Sequence, residues 1–102
     1  MENLLKHRLE RAELRFAANI EAVIFCDGFA TPAIIKNISA HGILLECRHV
    51  PQIDSRVSII TDRAEMDAIV IWTGDDRYGV QLSISIDPAD FTTVDELNVG
   101  WT

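Results

Sequence analysis

The feature that most constrains this chain is its punctuation. Short apolar, β-branched runs alternate with residues that turn the backbone. The runs span 19–26, 29–36, 43–47, 56–61, 66–72 and 78–84. Between them stand Asp27-Gly28, the polar stretch 37–42, a loop holding Pro51, the stretch 62–65, and 73–77 with Gly74. Asp-Gly between two such runs is a strong hairpin signal. Pro32 inside the second run places an edge or a bulge there, because proline cannot donate to a ladder. The sixth run alternates most cleanly: Tyr78, Val80, Leu82 and Ile84 fall on one face, Gly79, Gln81 and Ser83 on the other. The fifth is apolar at nearly every position and reads as a central strand. Six short strands with no strong helix between them predict an antiparallel sheet, closed as a small barrel or paired as a sandwich so that few edges stay exposed.

The flanks differ from this body. Leu5, Leu9 and Ala12 recur at helical spacing, so residues 3–15 read as a short helix that needs the domain to hold it. Arg8, Arg11 and Arg15 would share one face of that helix. The plain reading of such a face is a solvated one. The functional reading is a clamp, because the planar guanidinium fork matches phosphate and stacks on purines. After the last run, Asp87-Pro88 fits a helix N-cap followed by proline at the first helical position. Thr92, Thr93 and Val94 make any helix over 88–97 weak, and 98–102 reads as a frayed tail. The expected organisation is therefore a switch segment over 1–18, a barrel over 19–86, and an acidic tail or short helix over 87–102.

A chain of 102 residues forms one domain and buries a core without disulfides or metal. The net charge of −7 argues against DNA, RNA or anionic lipid as general partners. No apolar run is long enough to cross a membrane, and the first residues lack the apolar core of a secretory signal. Cys26 and Cys47 read as small buried hydrophobes of a reduced, cytoplasmic protein. His7, His41 and His49 have no metal-ligand spacing, so no metal is expected. Ser39 is not in a nucleophile elbow, and phosphate-binding glycine loops are absent. Nothing in this inventory supports an enzyme, and no cofactor is expected.

The stretch Asn37-Ile38-Ser39-Ala40-His41-Gly42 carries more chemistry than a connection needs. Asn37 offers donors and an acceptor, Ser39 a hydroxyl, and Gly42 close approach to the backbone. All three are also ordinary turn residues. Taken with Arg11-Ala12-Glu13-Leu14-Arg15 ahead of the first strand, however, the stretch resembles the PilZ domain. The signatures of that family are Arg-x-x-x-Arg and Asp/Asn-x-Ser-x-x-Gly, in this order. Val70-Ile71-Trp72 followed by Tyr78-Gly79-Val80-Gln81-Leu82 resembles the family's closing hairpin.

The resemblance implies an all-β, six-stranded antiparallel barrel with a flexible or partly helical N-terminal segment. It implies cyclic di-GMP as ligand, with Arg11, Arg15, Asn37, Ser39 and Gly42 as its contacts and Arg8 and Gly79 as auxiliary candidates. The arginines would wrap the ligand from the mobile side while the turn holds a guanine. Glu10 precedes Arg11 where many family members that bind a stacked ligand pair carry arginine, which favours one ligand molecule over two, or weaker binding. With no output domain in these residues, the signal would pass to an unidentified effector protein. The alternative is a degenerate barrel that contacts a protein partner without nucleotide.

Overall fold

The computed structural model describes residues 14–91. Arg8, Arg11, most of the expected N-terminal helix, and the end of the expected C-terminal helix with its tail lie outside the described residues. Six strands fill the described part: β1 (Phe16–Cys26), β2 (Phe29–Ile38), β3 (Gly42–Glu46), β4 (Arg56–Ile60), β5 (Glu65–Gly74) and β6 (Arg77–Leu82). They close into a barrel in the order β1-β2-β3-β6-β5-β4. Every neighbouring pair is antiparallel. The expected all-β barrel is the fold, and the sandwich is not.

Alternation builds the core. Ala22 and Ile24 of β1, Ile35 of β2, Ile43 and Leu45 of β3, Val57 and Ile59 of β4, Met66, Ala68 and Val70 of β5, and Tyr78, Val80 and Leu82 of β6 all point inward and are buried. Side chains two apart share a face, so six alternating strands supply one continuous lining. The first turn follows its sequence closely. Asp27 and Gly28 both take positive φ, 51° and 83°, as a tight hairpin turn of matching twist requires.

Three expectations need correction. The fifth strand is not buried on both faces. Met66, Ala68 and Val70 face the core, while Ile69, Ile71 and Trp72 are exposed. A closed barrel has no central strand, because each strand keeps one face toward solvent. Second, β1 begins at Phe16 rather than at residue 19. Phe16 pairs with Ile38 and Ala17 with Asn37, so the last residues of the presumed switch segment belong to the barrel. Third, β2 extends to Ile38 and β3 starts at Gly42. Asn37 and Gly42 are thus strand residues, and only residues 39–41 form the connection. In each case pairing with a neighbour, which local composition does not record, sets the boundary.

Pro32 sits where its chemistry allows. It lies opposite Val23 of β1, while β2 pairs with β3 only from Ile34 onward. Its carbonyl accepts a hydrogen bond from the Cys47 thiol at 3.4 Å. Cys26 and Cys47 are free thiols. After β6, Pro88–Asp90 forms a short 3-10 turn capped by Asp87, whose carboxylate accepts from the Ala89 amide at 3.0 Å. Phe91 then enters the core.

Candidate functional site

The connection between β2 and β3 is held by one hydroxyl. Ser39 is fully buried, at 0% exposure. Its Oγ accepts from the Gly42 amide at 3.1 Å and donates to the Gly42 carbonyl at 3.2 Å. The Ser39 amide also donates to that carbonyl, at 2.9 Å. Two further backbone bonds tie the connection to the segment leaving β6: the Leu82 amide donates to the His41 carbonyl at 2.8 Å, and the Ile86 amide to the Ala40 carbonyl at 2.9 Å. A buried hydroxyl that meets several partners fixes its surroundings, and the loss of one partner would leave an unsatisfied group.

Arg15 reaches this turn from the start of β1. Its Nε and Nη2 both donate to Asn37 Oδ1, at 3.2 and 3.0 Å. Its Nη1 donates to Ser39 Oγ at 3.3 Å. The guanidinium itself lies in exposed surroundings beside Asn37 and is partly buried toward Ser39. Arg15 and Asn37 come together because Ala17 stands opposite Asn37 in the β1–β2 ladder. Residues 22 apart in sequence thereby form one constellation.

Gly42 matters for space rather than for backbone angle. A Cβ there would stand 3.3 Å from the Val80 carbonyl, 3.7 Å from Ser39 Oγ and 3.8 Å from Arg15 Nη1. The glycine keeps the wall of the site flat where the arginine crosses it. Beyond it opens a cleft of about 560 Å³ that runs from Arg15, Asn37 and His41 to Trp72 and Gln81.

The far wall of the cleft comes from the β5–β6 hairpin. Ile71 is an extra residue there: Val70 pairs with Val80, and Trp72 with Gly79. Such a bulge re-aims the side chains that follow it. Trp72 lies across Gly79 with its indole 43% exposed. A Cβ at Gly79 would fall 2.3 Å from the indole Nε1, so only glycine admits this placement. Gly79 itself is buried. It lines the cleft by seating Trp72.

The structure thus brings Arg15, Asn37, Ser39 and Gly42 into one site and sets Gly79 at its far wall. Arg8 and Arg11 fall outside the described residues. The sequence picked out Trp72 only as part of the closing hairpin and His41 only as a histidine without metal-ligand spacing, yet both line the cleft. No local signal marks Trp72, because the run Ala68 to Trp72 is apolar throughout and the bulge at Ile71 is set by the register of β6.

Comparison with known proteins settles the family. The PilZ domain model matches residues 9–98. The chain belongs to the PilZ family. PilZ domains form a family of cyclic di-GMP receptors, binding domains that are generally non-enzymatic. Among solved structures, this PilZ barrel is similar to the PilZ domain of CeSA from a cellulose-synthesizing bacterium. The two share 22% identity with a TM-score of 0.61, over 85% of this chain and 96% of that one. It is also similar to the inhibitor of motility MotI/DgrA of Bacillus subtilis, with 19% identity and a TM-score of 0.59, over 86% of this chain and 51% of that one. No curated protein sequence matches. No helix among the described residues is long and apolar enough to cross a membrane.

Proposed function

We propose that this PilZ barrel binds cyclic di-GMP in the cleft beside Arg15, Asn37 and Gly42, and signals by reordering its N-terminal segment. The observation that carries the reading is the seating of Arg15 on Asn37 and Ser39. It puts a phosphate-binding fork against the turn.

Ligand entry is then an exchange. Arg15 leaves Asn37 Oδ1 for a phosphate oxygen, a stronger, charge-assisted partner. The freed Oδ1 accepts from the donors on the guanine edge, and the ring lies over Gly42. A guanine presents N–H donors where adenine presents an acceptor, so the amide oxygen favours guanine. Arg11 supplies a second guanidinium from the same segment. Fixing that segment costs about 1–2 kcal/mol per residue in backbone entropy, so several charge-assisted bonds must form together. The new position of the segment alters the surface offered to an effector protein. The predominance of acidic residues makes approach of a dianion sensitive to salt.

Calorimetry with cyclic di-GMP tests this. One ligand per chain is expected, with binding lost in Arg15→Ala and Arg11→Ala and weakened in Asn37→Ala. An absence of heat at ligand concentrations of about tens of micromolar would overturn the proposal.

A further inference from the structure

A second hollow lies away from the cleft beside Arg15. It has a volume of about 1110 Å³ and is lined by the β1–β2 hairpin, the end of β3 and the end of β4. Register defines its floor. Val23 pairs with Pro32 on one side and Ile60 on the other. One step along, Glu21 pairs with Ile34, and Ile34 with Glu46. Partners in a ladder share a face, so the floor is an apolar strip of Ile60, Val23, Pro32 and Ile34 with a carboxylate at each end of the second row. Val23 is 38% exposed, and its outward neighbour Phe25 is 45% exposed. The turns at either side add Asp62 and Asp76, against a single cation, Arg48.

Charge chooses the occupant. Four carboxylates around an apolar strip repel a second copy of the same surface. They also repel nucleic acid and anionic lipid. They attract a segment with aliphatic side chains flanked by lysine or arginine, whose charges meet the rim while its apolar groups cover the strip. We propose that this hollow is the docking surface for a basic, aliphatic segment of a protein partner. The proposal rests on the adaptor reading above, in which output passes through a protein, and it names that protein's chemistry. The hollow also shares its strands with the ligand site. β2 runs from Pro32 and Ile34 to Asn37, and β1 runs from Phe16, beside Arg15, to Glu21 and Val23.

The test uses the full chain and a short labelled peptide of leucine, lysine and serine, with a glutamate-for-lysine counterpart as control. Fluorescence anisotropy is expected to show binding of the cationic peptide only. Glu21→Gln with Glu46→Gln should weaken it about fivefold, and Val23→Ser by a similar factor. Asp54→Asn with Asp67→Asn removes the same charge elsewhere and should change it less than about twofold. Equal losses in both pairs would mean attraction by net charge alone and overturn the proposal. So would a Val23-dependent dimer in sedimentation, which makes a second copy the occupant. Tighter peptide binding after Leu4→Ser, Leu5→Ser and Leu9→Ser together would also overturn it, by showing that the chain's own N-terminal segment fills the hollow. Peptide binding should survive Arg15→Ala, and cyclic di-GMP binding should survive Glu21→Gln with Glu46→Gln. The two proposals therefore fail separately.

Discussion

Ser39 and Arg15 touch each other, yet they belong to opposite kinds of structure. Ser39 is sealed in the turn, and its hydroxyl bonds the Gly42 amide and carbonyl as well as Arg15. Arg15 stands at the edge of the described barrel. Its guanidinium is held by three side-chain bonds of 3.0 to 3.3 Å, two of them to one oxygen. Such bonds at an exposed site are weak, since water competes for both partners. One half of the site is therefore part of the fold, and the other only rests on it. A receptor needs this inequality. A rigid half supplies shape, and a loosely held half can change partners when a ligand offers a better one.

Mutation can break that contrast. Ser39→Ala should have the largest effect on stability. It strips the Gly42 amide of its acceptor in a part-buried turn, costing about 1 kcal/mol, and it should also weaken cyclic di-GMP binding. Chemical denaturation and calorimetry measured together would show both losses. If stability were unchanged, the turn would not be held by Ser39. Arg15→Ala should do the reverse. Its unfolding midpoint should stay within about 0.5 kcal/mol of the native chain, while ligand affinity falls at least about tenfold.

A smaller effect sharpens the geometry at the far wall. Gly79→Ala places a methyl where Trp72 lies, so the indole must leave the strand surface. Tryptophan fluorescence should shift to the red, and ligand affinity should drop by a few fold. An unchanged spectrum would show that Trp72 does not rest there.

The smallest effect concerns a second buried hydroxyl. Tyr78 is fully buried, and its Oη has no hydrogen-bond partner among the described residues. Burial pushes its phenol well above the ordinary range, and the nearby Cys47 and Cys26 add to this. The folded state thus favours the neutral phenol. The associated stability is complete below about pH 10, the ordinary phenol value, and falls as pH rises above it. Tyr78→Phe should be near neutral at pH 7 and should resist alkaline unfolding better than the native chain. Ser39 and Tyr78 thus contrast a buried hydroxyl with several partners and one with none among the described residues.

Much of this was legible in the residues. Strand alternation around Tyr78, Val80 and Leu82 was visible because period two is a local property. The Asp27-Gly28 turn and the Asp87 cap were visible because backbone angle and capping chemistry reside in one or two residues. Asn37, Ser39 and Gly42 could be picked out by spacing. The exposure of Ile69, Ile71 and Trp72 was not legible. An apolar residue on the outside of a barrel looks the same in sequence as one inside, and the bulge at Ile71 depends on the register of a partner strand.

The sequence by itself determined the alternation, the turns and the family signatures, and with them an antiparallel barrel, because each rests on neighbours along the chain. Tertiary structure decided what those residues do. It carried Asn37 into a strand opposite Ala17, laid Arg15 on Ser39, and placed Trp72 over Gly79. It also gathered Glu21, Val23, Ile34 and Ile60 into one hollow. Each of these contacts joins residues on different strands. Their meeting depends on ladder register and barrel closure, which the whole set of strands settles together.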